Sequence, residues 1–177
     1  MGAKFTLQEI ILAALTVAGV FTISYLLLPI MAMFPVFIYK PLLLTPIFSV
    51  LVFMLINNIP KVGILIIFST ILSGILFLLS PIMFFIPLTA GILVELLIWI
   101  VFRGYKNIKE KIVAASLYPA LQIPVALIFA ILLGGGEYRK VLANLWLVGV
   151  FTLLSFFFGA FILLSFKRLL NKKFIKI

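Results

Sequence analysis

The sequence contains neither cysteine nor histidine. Without thiols it cannot form a disulfide, a thiolate metal site or a cysteine nucleophile. Without imidazole it lacks both the commonest metal ligand and the usual general base. Carboxylates number four, Glu9, Glu95, Glu110 and Glu137, and they stand too far apart along the chain to read as an acid–base pair. There is no glycine loop of the phosphate-cradling type. Gly134-Gly135-Gly136 follows a long apolar run and reads as its break. These absences argue against an enzyme, a metal centre and a bound cofactor.

Charge as a whole is scarce, at 10% of residues against 66% hydrophobic, and the mean hydropathy is +1.43. A water-soluble domain of 177 residues needs far more polar surface than that. Uncharged stretches run from Ile10 to Tyr39, Pro41 to Pro60, Val62 to Val94, Ile112 to Gly136 and Val141 to Phe166. A helix crosses the hydrocarbon core of a bilayer with about 20 apolar residues, so each stretch is long enough to span. The run from Val62 to Phe102 is too long for one crossing, and Ser80-Pro81 supplies its break, with Pro87 just beyond. The expected architecture is an all-α membrane protein with spans near 7–28, 41–57, 61–80, 82–103, 111–133 and 142–168. Alternating short segments, the mark of a membrane β-barrel, do not occur.

Basic residues orient this bundle. With six crossings, one side carries Lys4, Lys61, Arg103, Lys106, Lys109, Lys111, Lys167, Arg168, Lys172, Lys173 and Lys176; the other carries Lys40, Arg139 and Lys140. Eleven against three places both termini in the cytoplasm by the positive-inside rule, as a multi-pass protein of the cell membrane. The net charge of +10 is dealt out between spans rather than gathered on one exposed face, so nucleic acid is not an expected partner. The first three spans show no convincing similarity to the last three, and no linker divides the chain. A single membrane domain over 1–177 is expected, with Arg103–Lys111 as the segment joining its two halves.

Candidate functional residues are the polar ones inside the spans. Glu95 lies past the middle of the fourth, where a charge is costly and must face the bundle interior or be protonated. Three roles are open to it: a hydrogen-bonded tie between helices, a substrate contact, or a proton relay. In the fifth span, Gln122 sits between Pro119 and Pro124, which free backbone carbonyls for a kink or a binding site. Asn144 and Trp146 open the sixth span; Trp146 alone is the common interfacial anchor, while Asn144 is suited to hydrogen-bond a polar ligand. The stretch Met31–Pro41, with Lys40 near its end, reads as a cap over the bundle. Lys40, Glu95, Gln122, Asn144 and Trp146 are therefore the candidate substrate contacts. On helix one, Ala14 and Ala18 stand one turn apart, a spacing that lets another helix approach closely in lipid. Ser69/Ser73 and Ser155/Gly159 repeat that spacing, so it does not by itself identify a docking face.

Six spans in so short a chain and Ala14-x-x-x-Ala18 on the first helix resemble the S components of energy-coupling factor (ECF) transporters. Within that group the chain is similar to the Trep-Strep integral membrane family. The stretches that carry this are Asn57-Asn58-Ile59-Pro60-Lys61-Val62-Gly63, Ala90-Gly91-Ile92-Leu93-Val94-Glu95-Leu96-Leu97-Ile98 and Gly104-Tyr105-Lys106-Asn107. The family usually has an acidic residue in the place of Glu95. The resemblance implies a subunit that captures a small water-soluble nutrient, such as a vitamin or its precursor, from outside. It implies as partners a transmembrane coupling protein, met by the Ala14/Ala18 face, and two ABC-type ATPases. A self-contained proton-coupled carrier, with Glu95 as the coupling carboxylate, is the alternative.

Overall fold

The computed structural model describes residues 5–32, 39–133 and 145–174, and all regular structure among them is helical. Seven helices follow in order: α1 (Leu7–Leu26), α2 (Leu28–Ala32), α3 (Tyr39–Asn58), α4 (Ile64–Phe77), α5 (Pro81–Phe102), α6 (Ile108–Leu133) and α7 (Leu145–Phe174). Thr6 starts α1 through a reciprocal capping box: its side chain accepts from the Glu9 N–H while the Glu9 carboxylate accepts from the Thr6 N–H. Ser80, in extended conformation, precedes Pro81 at the first position of α5, where proline's missing N–H costs nothing. The expected break in the long apolar run thus falls at Ser80-Pro81.

Four helices, α1, α5, α6 and α7, are long and apolar enough to cross a membrane. The apolar parts of α3 and α4, Leu42–Asn58 and Ile64–Phe77, are shorter. At 14 residues, α4 extends for roughly 21 Å, less than the 61–80 span expected from sequence. Its start is delayed by a turn over 61–63 that ends on Gly63 at φ +101°, a conformation glycine adopts without strain. It also ends early, in a turn over 78–79 ahead of Pro81. The short α2 was not anticipated. Both α5 and α6 continue helically through their internal prolines, Pro87 and Pro119 with Pro124.

Packing places α6 at the centre, against α3, α5 and α7, while α4 pairs with α5 and α1 lies across α3 and α4. Small residues make the tightest crossings. A Cβ on Gly91 of α5 would fall 2.6 Å from the Ser69 Cβ of α4, and closer still to its hydroxyl. On α7, Ser155 hydrogen-bonds Thr45 of α3 at 2.7 Å, and Gly159 lies against Ser49 and Ser116. At the middle of the bundle Tyr118 is fully buried. Its ring meets Phe68 edge-on at 5.6 Å and Phe48 at 6.1 Å, and its hydroxyl accepts from Ser69 at 3.2 Å.

Candidate ligand-binding cavity

The two ends of the bundle are built differently. At the end formed by the start of α1 and the turns 59–63 and 103–107, polar contacts cross-link the elements. Lys61 pairs with Glu9 at 2.7 Å and lies 5.7 Å from the Phe5 ring centroid. Lys111 donates to Asn57 at 3.1 Å, and Glu110 accepts from both the backbone and side-chain amides of Asn107 at 2.8 Å. Glu95 belongs to this end. One carboxylate oxygen accepts from the backbone N–H groups of Gly63 and Leu65, both at 2.9 Å, at the first turn of α4. A carboxylate there satisfies donors that have no intrahelical partner and meets the positive end of the helix dipole. The second oxygen, Oε2, is buried and forms no hydrogen bond, as is true of the Tyr105 hydroxyl. The two groups still interact electrostatically: burial first, then Glu95, pushes the Tyr105 phenol well above its usual range.

At the opposite end a cavity of about 450 Å³ lies within the range of small-molecule sites. Its lining comes from α1, α3, α4, α5 and α6 and from the start of α2. Buried Phe48, Leu72, Pro87 and Pro119 form the inner wall. Exposed Tyr25, Leu28, Leu79 and Met83 form the rim. A run of ring contacts, Phe77 to Phe84, Phe84 to Phe85 and Phe85 to Phe129, ties α4, α5 and α6 together at this end. Three polar groups break the apolar lining, the Gln122 amide, the Ser24 hydroxyl and, at the rim, the Tyr25 hydroxyl. Gln122 Nε2 and Ser24 Oγ are both buried and both lack a hydrogen-bond partner. A buried polar group without a partner costs roughly 1–3 kcal/mol, and a ligand in the cavity would remove that cost. No charged side chain lines the cavity among the described residues.

Of the candidate contacts, the structure brings Gln122 to the cavity. Glu95 stands apart from it, engaged at the start of α4 as a tie between helices. Trp146 is two-thirds exposed and does not line the cavity, a placement suited to an interfacial anchor. Asn144 and the side chain of Lys40 lie outside the described residues, as does most of the expected cap Met31–Pro41. Ser24 and Tyr25 were missed. They sit in an apolar helix that offered no sequence signal other than the hydroxyls themselves. Pro87, which removes the donor for the Met83 carbonyl, was read only as part of a helix break.

The three small-residue pairs separate clearly. Ser69/Ser73 and Ser155 are buried inside the bundle, and Gly159 packs against α3 and α6. Ala14 and Ala18 are exposed, while Ala13, Val17 and Val20 of the same helix face the core.

Compared with family models, with characterised proteins and with solved structures, the chain matches none. The resemblance to S components therefore rests on the short stretches that carry it.

Proposed function

We propose that this chain is the substrate-capturing membrane subunit of an ATP-driven uptake system, acting as an S component does. It crosses the cell membrane six times with both termini in the cytoplasm, a reading that the distribution of basic residues supports. The cross-linked end then faces the cytoplasm and the cavity opens outward. The observation that carries the reading is that cavity, with its rim away from the basic turns and unpaired polar groups in its wall. The sequence contains no nucleotide-binding loop, which suits a subunit driven by partner ATPases. The exposed Ala14/Ala18 stripe on α1 is the face for the transmembrane coupling protein.

Gentle-detergent purification of the tagged protein from its host, with mass spectrometry of what is retained, tests this. Two ABC-type ATPases and a second membrane protein should co-purify. Ala14→Phe and Ala18→Phe should lose those partners and uptake while the cavity still binds. Recovery of the chain alone, with uptake that stops when the proton gradient is dissipated, would replace the reading with a proton-coupled carrier.

A further inference from the structure

The lining of the cavity also restricts the charge of what it takes, an inference that rests on the reading of the cavity as a small-molecule site. Its described wall is hydrocarbon and aromatic apart from Ser24, Tyr25 and Gln122. None of these side chains is a counter-ion. An ionised ligand would give up its hydration on entry and find no opposite charge among the described residues, and a buried charge without a partner is strongly disfavoured. The most buried carboxylate among the described residues, Glu95, is held at the start of α4 and does not line the cavity. The wall offers instead one amide donor, Gln122 Nε2, which lies near the Tyr118 hydroxyl without hydrogen-bonding it, and one hydroxyl, Ser24 Oγ, on helices α6 and α1. Gln122 lies one turn beyond Tyr118, whose hydroxyl is anchored by Ser69, so its base is seated on the most buried part of the core.

We propose that the cavity selects an uncharged, largely apolar ring compound. Such a compound presents a carbonyl-type acceptor to Gln122 Nε2 and a second polar atom to Ser24 Oγ. Carboxylates and ammonium ions of the same shape are rejected. The apolar wall supplies the burial, and the two polar groups fix the orientation.

Three probes of matched shape test this: naphthalene-carboxamide, naphthalene-carboxylate and naphthylmethylammonium. Binding is measured by equilibrium dialysis against the full chain in lipid nanodiscs. Discs carrying Ala126→Phe, which fills the cavity, correct for partition into lipid. The carboxamide should bind saturably to the wild type, not to Ala126→Phe, and at least about 100-fold more tightly than either ion. Gln122→Leu, close to the native side chain in volume, should weaken the carboxamide by roughly tenfold. That variant keeps the test readable should Ala126→Phe fail to fold. If an ion binds as tightly as the carboxamide and Ala126→Phe removes it, the small-molecule reading survives and the selection for uncharged ligands is overturned. If no probe distinguishes wild type from Ala126→Phe and Gln122→Leu, the inference is overturned. One phospholipid per chain, retained by the wild type and absent from Ala126→Phe, would overturn it in favour of an acyl chain in the cavity.

Discussion

The basic end of this bundle ties most of its polar groups to one another, Glu95 Oε2 and the Tyr105 hydroxyl excepted, whereas the cavity end leaves its own without hydrogen bonds. At the basic end, Glu9, Lys61, Glu95, Asn107 and Glu110 reach across turns and between helices, holding the starts of α1, α4 and α6 in place. At the cavity end, Ser24 Oγ and Gln122 Nε2 are buried atoms of half-buried residues, and neither forms a hydrogen bond. In an apolar protein each buried polar group is costly, so its use is informative. A satisfied group belongs to the architecture, whereas an unsatisfied one beside a cavity is available to a ligand.

The contrast can be broken by substitutions read as apparent melting temperatures in detergent. The largest effect should come from Glu95→Leu, which strands the N–H groups of Gly63 and Leu65 in the interior. It should cost about 2–6 kcal/mol, given roughly 1–3 for each orphaned donor. Glu95→Gln keeps an acceptor and should lose much less. Equal loss in both would show that charge, rather than hydrogen bonding, carries the role of Glu95. Next in size is Gly91→Ala, whose new methyl collides with Ser69, at a cost of about 1–3 kcal/mol. Ser69→Gly in the same chain should restore part of it, and absence of rescue would remove the claim of a tight α4–α5 crossing. The smallest effects form a matched pair. Thr45→Val breaks the bond to Ser155 and should cost about 1 kcal/mol. Gln122→Leu removes an unpaired amide and should leave the melting temperature unchanged or raise it. If Gln122→Leu is as damaging as Thr45→Val, Gln122 is structural and the cavity loses its main polar contact.

Much of the fold was legible because long uncharged runs and Ser80-Pro81 are strong signals. The runs set where α1, α3, α5, α6 and α7 form, and Pro81 sets where α5 begins. The truncation of α4 and the short α2 were not legible, since both depend on turn geometry around Gly63 and Leu27 that hydropathy does not encode. The site was legible at one residue. Gln122 stands out as an amide in an apolar helix. Glu95 stands out even more, yet which donors it meets depends on how α4 and α5 cross. Ser24 was invisible because serine in a span more often bonds its own helix. Sequence spacing could not rank the three small-residue pairs. Exposure separates them, since only the Ala14/Ala18 pair is left facing outward.

The orientation of the cavity decides between capture from outside and any inward-facing role, and the absence of cysteine makes it directly measurable. Leu79→Cys at the exposed rim and Lys106→Cys in the turn at the basic end should be treated, one at a time, with a membrane-impermeant maleimide on intact cells. Leu79→Cys should react at once and Lys106→Cys only after the cells are permeabilised. The reverse pattern would place the cavity mouth in the cytoplasm and contradict uptake by outward capture.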